Sequence, residues 1–172
     1  MKVTQTIAAG STDGLRRIRE ASQAGLTLCF PGVGSAFARQ HDPTCLIVAK
    51  NGVTFLVDVG TNIPRVLSSR GIHVCGFDYY HITHSHADHT HGIDDLRYIS
   101  RRMGGNRVNI FADSRTLALL HKRFHYAFNQ DPDKHYPPIL KAHEITGRFS
   151  IGKVEIAPFG QDHGPISTIG YR

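Results

Sequence analysis

The run Thr83-His84-Ser85-His86-Ala87-Asp88-His89-Thr90-His91-Gly92 constrains this chain more than any other stretch. It follows an apolar, strand-like segment, Phe77 to Ile82, and packs four imidazoles and a carboxylate into eight residues. Core packing does not call for so many titratable groups together, and a purification tag would be terminal and monotonous. Neutral imidazole and carboxylate are donors that zinc, iron and manganese take up readily. In extended backbone, residues two apart point the same way, so His84 and His86 can converge on one ion. Asp88 and His89 come after the chain has turned and are placed to serve a second ion. His91 sits where Gly92 and Ile93-Asp94-Asp95 announce a helix, and it is left outside the ligand set.

With 172 residues, 40% of them hydrophobic and 20% charged, the chain has enough material for one domain with a core. No apolar run approaches the ~20 residues of a membrane-spanning helix, so no membrane partner is expected. Met1 to Gly10 has one cation and no sustained apolar region, which argues against a signal peptide. Cys29, Cys45 and Cys75 are odd in number and form no Cys-x-x-Cys pair. That pattern fits neither a disulfide framework nor a structural zinc knuckle, and it suits a reducing cytoplasm, with all three read as small buried hydrophobes. The net charge of +6 is spread over pairs such as Arg16-Arg17, Arg101-Arg102 and Lys122-Arg123. A scattered basic surface steers small phosphate-bearing substrates or, less favoured here, nucleic acid; it also keeps a protein soluble. Charge alone does not choose among these.

Periodicity predicts a helix or arm over residues 12–24, a strand from Leu26 to Phe30, and a Gly-rich loop, Pro31 to Ala36, where backbone closely approaches the metal site or another strand. Cys45 to Lys50 and Val53 to Asp58 flank Asn51-Gly52, a strong hairpin signal. Asn62 is expected to cap a helix from Ile63 to Ser69. Further helices are expected from Ile93 to Met103, stopped by Gly104-Gly105, and from Asp113 or Ser114 to about His125. Val108 to Phe111 reads as a strand between them. Residues 126–140 read as a long irregular segment over the substrate, in which His135 and Tyr136 are positioned to touch it. A second hairpin is expected around Gly152-Lys153, then a loop at Gln161-Asp162-His163-Gly164, then a strand from Ser167.

His84-x-His86-x-Asp88-His89 at a strand end resembles the signature of the metallo-β-lactamase superfamily of two-metal hydrolases. Leu56-Val57-Asp58-Val59-Gly60 is similar to its earlier element, and Gln161-Asp162-His163-Gly164 to its third. Residues 91–97, 136–140 and 163–172 are most similar to the branch containing the phosphoribosyl 1,2-cyclic phosphate phosphodiesterases, cousins of the tRNA 3′-processing endonucleases. The resemblance implies an α/β fold of the metallo-β-lactamase αββα type, with residues 1–25 as an arm or helix and 26–172 as the domain. It implies two divalent ions, zinc first, with manganese or iron as alternatives. His84, His86 and His163 would hold the first ion and Asp88 and His89 part of the second. Asp58 would hydrogen-bond a ligand imidazole, and Asp88 would also orient the nucleophile. The implied activity is hydrolysis of a (cyclic) phosphodiester, with a homodimer as the compatible assembly. Hydrolysis of a carbonyl substrate or of tRNA 3′ ends, or metal binding without catalysis, are the other readings. The superfamily pattern continues to a bridging Asp and a final His, and Arg172 precedes both. The expectation is therefore a domain incomplete at its C-terminus.

Overall fold

A computed structural model of the chain describes residues 13–35, 37–102, 108–129 and 139–172. The arm before residue 13, the Gly104-Gly105 stop and the segment holding His135 and Tyr136 lie outside them. Helices α1 (Gly14–Ser22), α2 (Ile63–Ser69), α3 (Ala87–Thr90), α4 (Ile93–Arg102), α5 (Ser114–Arg123) and α6 (His125–Phe128) are interspersed with ten strands among the described residues. Six of these build one sheet in sequence order: β1 (Thr27–Gly32), β2 (Cys45–Lys50), β3 (Val53–Val57), β4 (Tyr79–His81), β5 (Val108–Ala112) and β6 (Leu140–Glu144). The other four form two hairpins, β7 (Phe149–Ile151) with β8 (Val154–Ile156), and β9 (Pro158–His163) with β10 (Ile166–Tyr171). β1 to β3 are antiparallel, and β3 to β6 run parallel.

Period-two alternation sends side chains of each strand to opposite faces. Ile47, Leu56, Tyr80 and Ile110 face the helices and are buried with Ile18, Leu67 and Leu120 in the main core. Phe55, Tyr79 and Phe111 point to the other face, where the hairpins cover them with Ile151, Val154 and Ile156. Parallel strands need cover on both faces, and this chain supplies helices on one and strands on the other. The hairpin at Asn51-Gly52 forms as expected, with both residues at positive φ (51° and 79°).

Three sequence expectations are corrected, and a fourth is narrowed. Asn62 caps nothing with its side chain; it adopts a left-handed backbone (φ 72°), and Pro64, at the helix start, leaves one fewer amide in need of a partner. The stretch expected as a loop at Gln161 is the end of β9, a mostly exposed strand whose order comes from pairing with β10 rather than from an apolar face. Residues 126–128 belong to α6, and β6 pairs in register with β5 although only Leu140 of it is buried. Of its two expected neighbours the Gly-rich loop meets another strand: Gly32 pairs with Cys45 of β2, and a Cβ on it would meet the Pro43 carbonyl at 2.0 Å.

Backbone contact also fixes the His-rich loop to the sheet. Val59 N donates to the His89 carbonyl at 2.9 Å, and Gly92 N to the Val59 carbonyl at 2.9 Å. Gly60 lies so close beneath that a Cβ there would fall 1.7 Å from the Asp88 carbonyl oxygen. Gly147, by contrast, has open space around it. Gly60→Ala should therefore destabilise the chain by roughly 2–3 kcal/mol, the range of overpacking, while Gly147→Ala changes little. Urea unfolding of the two variants checks this, and equal midpoints would contradict it.

Candidate metal centre

Parallel β3 and β4 end side by side, with Val57 opposite His81, so the residues just past them share one sheet edge. Crevices beyond the carboxyl ends of parallel strands are where such sheets bind ligands. Asp58 is the first residue past β3. It is 3% exposed and holds a left-handed backbone (φ 64°), a conformation Asp tolerates better than most residues. A buried carboxylate needs donors, and three reach it. Thr83 N donates to Oδ1 at 2.8 Å, Thr83 Oγ1 to Oδ2 at 2.9 Å, and His89 Nδ1 to Oδ2 at 2.7 Å. The sequence expectation that Asp58 orients an imidazole thus has a geometric counterpart at His89.

His84 (4% exposed), half-buried His86 and exposed His163 come together although 79 residues separate the first from the last. Their ring centroids lie 4.7 to 5.2 Å apart, and one nitrogen from each falls within 4.8 Å of the others. Among the described residues this trio is a group that could hold a metal ion. The first short helix, α3, brings His89 back against His84, centroids 4.1 Å apart, and sets His89 Nε2 3.7 Å from Asp88 Oδ2. His91 ends α3 exposed, apart from the cluster. β10 is stitched to the loop by Ile169 N donating to the Thr83 carbonyl at 3.0 Å, which anchors the hairpin that carries His163. The Arg123 guanidinium donates to the Ser85 carbonyl from α5. A cavity of about 390 Å³ opens over Asp58, His84, His89, Asp162, His163 and Thr168.

Burial and the neighbouring imidazoles of His89, His86 and His163 push His84 down to about 4, so its ring is neutral and offers a lone pair. Burial also opposes a charge on His89, but the Asp58 and Asp88 carboxylates together outweigh it and raise that pKa. Thr83 and Thr168 were not singled out by the sequence. Thr83 had a signal, as a hydroxyl directly before the first ligand-type histidine. Thr168 had none, since only the β9–β10 register brings it near.

The model of the family described as Anti-Pycsar protein Apyc1 matches residues 26–165. The chain belongs to the Apyc1 family. A relative of that name from Bacillus phage 010DV004 is 24% identical over 143 residues, covering 82% of this chain and 54% of its own length. The chain thus spans about half the length of this Apyc1 relative. Among solved structures, a diphosphatase from the PhnP family aligns with TM-score 0.68 at 23% identity, over 86% of this chain and 61% of its own. The metallo-β-lactamase fold protein YhfI from Bacillus subtilis aligns with TM-score 0.68 at 17% identity, over 86% and 56%. This chain of the Apyc1 family has the metallo-β-lactamase fold. Among the described residues no helix is long and apolar enough to cross a membrane. Cys29, Cys45 and Cys75 are free; Cys45 is fully buried and the other two pack partly buried against the core.

His81, the last residue of β4, is a packing residue. It is 2% exposed on the hairpin face, stacked on Phe111 at 5.4 Å and edge-on to Tyr171 at 4.7 Å. Its Nε2 has no hydrogen-bond partner among the described residues, and burial lowers its pKa to about 3. The unfolded ring titrates near 6.5, so its contribution to stability is complete above that pH. As pH falls from 6.5 toward 3 only the unfolded state takes up the proton, and stability is lost by up to about 1.4 kcal/mol per pH unit. His81→Phe should flatten the stability profile between pH 6.5 and 4.5 relative to the parent chain. Parallel profiles from chemical denaturation would contradict this assignment.

Proposed function

We propose that this chain carries the metal centre of a hydrolase that opens a cyclic phosphodiester, with a cyclic nucleotide as substrate class and the cytoplasm as its compartment. The convergence of His84, His86 and His163 carries this reading. His84 Nε2 and His86 Nδ1 face each other at 3.0 Å. Two bare lone pairs at that distance repel, and either a proton or a cation between them relieves it, which makes the pair a fitting half of a cation site. In this reading His84, His86 and His163 hold one divalent ion, and Asp88 and His89 contribute to a second. Zinc is the first choice for imidazole donors, with manganese or iron as alternatives.

Such an ion supplies Lewis acidity, neutralising charge on phosphoryl oxygen and making water nucleophilic near neutral pH. The residues of the chain do the positioning. Asp58 accepts a hydrogen bond from His89 Nδ1 and so aims the opposite edge of that ring at Asp88. Asp88 orients the attacking water and accepts its proton on a carboxylate oxygen. The water oxygen forms a bond to phosphorus as the ring P–O bond breaks. The departing oxygen takes up the proton held by Asp88 and remains on the ribose as a hydroxyl, giving a phosphomonoester. Membership of the Apyc1 family and a net charge of +6, which attracts anions, support a small phosphate substrate.

Hydrolysis of a cyclic mononucleotide by the zinc- or manganese-loaded protein tests the proposal. Asp88→Ala should lower kcat/KM by about 10²-fold or more, the scale of a lost proton acceptor. His91→Ala should stay close to the parent value. Turnover of a thioester or lactam with none of the cyclic nucleotide would overturn the substrate class. Normal activity in Asp88→Ala would overturn the role of Asp88.

A further inference from the structure

A count of protons around His84 leads beyond the ligand set. Asp58 is a carboxylate and only accepts, so the hydroxyl of Thr83, 2.9 Å from Oδ2 and 3.1 Å from Oδ1, spends its one proton there. The same Thr83 oxygen lies 2.9 Å from His84 Nδ1. With its proton committed, it meets that nitrogen with a lone pair, and the contact is attractive only if Nδ1 carries a hydrogen. Thr168 Oγ1 stands 3.3 Å from the same Nδ1 and 3.2 Å from the Thr83 carbonyl. Donating to that carbonyl, it offers Nδ1 a second acceptor.

We infer that Thr83 and Thr168 are positioning residues that lock His84 as the Nδ1–H tautomer and present its Nε2 lone pair to the cation. Asp58 then governs two histidines: His89 through a direct hydrogen bond, and His84 through the Thr83 hydroxyl. The placement of Thr168 adds a link between sites. It rides on β10, which pairs with β9 so that Ile166 faces His163. The strand pair that delivers His163 therefore also sets the tautomer of His84, and the two ligand-type residues are assembled together. The consequence for metal binding rests on the functional reading above; the tautomer itself does not.

Long-range ¹H–¹⁵N correlation spectra of the metal-free chain report the protonated nitrogen of His84 directly. The parent chain should show Nδ1–H. Thr83→Val, which keeps shape and loses the hydroxyl, should move His84 toward Nε2–H and weaken zinc affinity, read by chelator competition, about 10- to 100-fold. Thr83→Ser should restore both readouts. Thr168→Val keeps the Asp58 contacts intact and should produce a smaller shift in the same direction. It also tests the relay if Thr83→Val does not fold. His84 as Nε2–H in the parent chain would overturn the inference, as would Thr83→Val with unchanged tautomer and affinity. A parent chain that takes up no zinc would overturn the functional reading, and the tautomer spectrum would still decide this one.

Discussion

A buried carboxylate is the constraint on which the site is built. Asp58 cannot leave water uncompensated, because an isolated charge in a low-dielectric interior is among the most expensive arrangements a fold can contain. Its compensation comes from Thr83 N, Thr83 Oγ1 and His89 Nδ1, all from the loop and short helix α3 that follow β4. Satisfying Asp58 therefore draws that loop down onto the end of β3. The close backbone packing of Gly60 under Asp88 leaves the loop no room to retreat. The left-handed backbone at Asp58 belongs to the same arrangement, since sparsely populated conformations persist where the surroundings over-determine them.

The sheet explains why these groups meet. β3 and β4 are neighbours in parallel register, so residues following Val57 and His81 emerge at one edge. The third contribution, His163, arrives from a hairpin on the opposite face from the helices, held by Ile169 and Thr168 against the Thr83 carbonyl. Three segments distant in sequence are tied through one threonine whose amide, hydroxyl and carbonyl are all engaged. The aromatic face of the sheet, with Phe55, Tyr79, His81 and Phe111 beneath the hairpins, gives that junction a rigid floor.

Much of this was legible in the residues. The density of His84 to His89, the Asn51-Gly52 hairpin and the order of Asp58, the His cluster and His163 are local signals, and the fold class and the grouping of three histidines followed from the family resemblance they carry. What was not legible depends on register. β9 has no buried face to read, and its pairing with β10 follows from backbone hydrogen bonds alone. Thr168 becomes significant only through that pairing. β6 is a short outer strand whose polar residues, Lys141, His143 and Glu144, mask it as loop. Asn62 carried the right residue type for a cap, but the turn from Gly60 into α2 uses its left-handed backbone instead.

The central claim is that His84, His86 and His163 form one cation site organised from Asp58. Anomalous diffraction at the zinc edge, from crystals of the chain grown with zinc, tests it most directly. The account predicts a strong peak bonded to one nitrogen of each of the three histidines, with His84 contributing Nε2. No peak there, or a peak that engages His91 and bypasses His163, would contradict it.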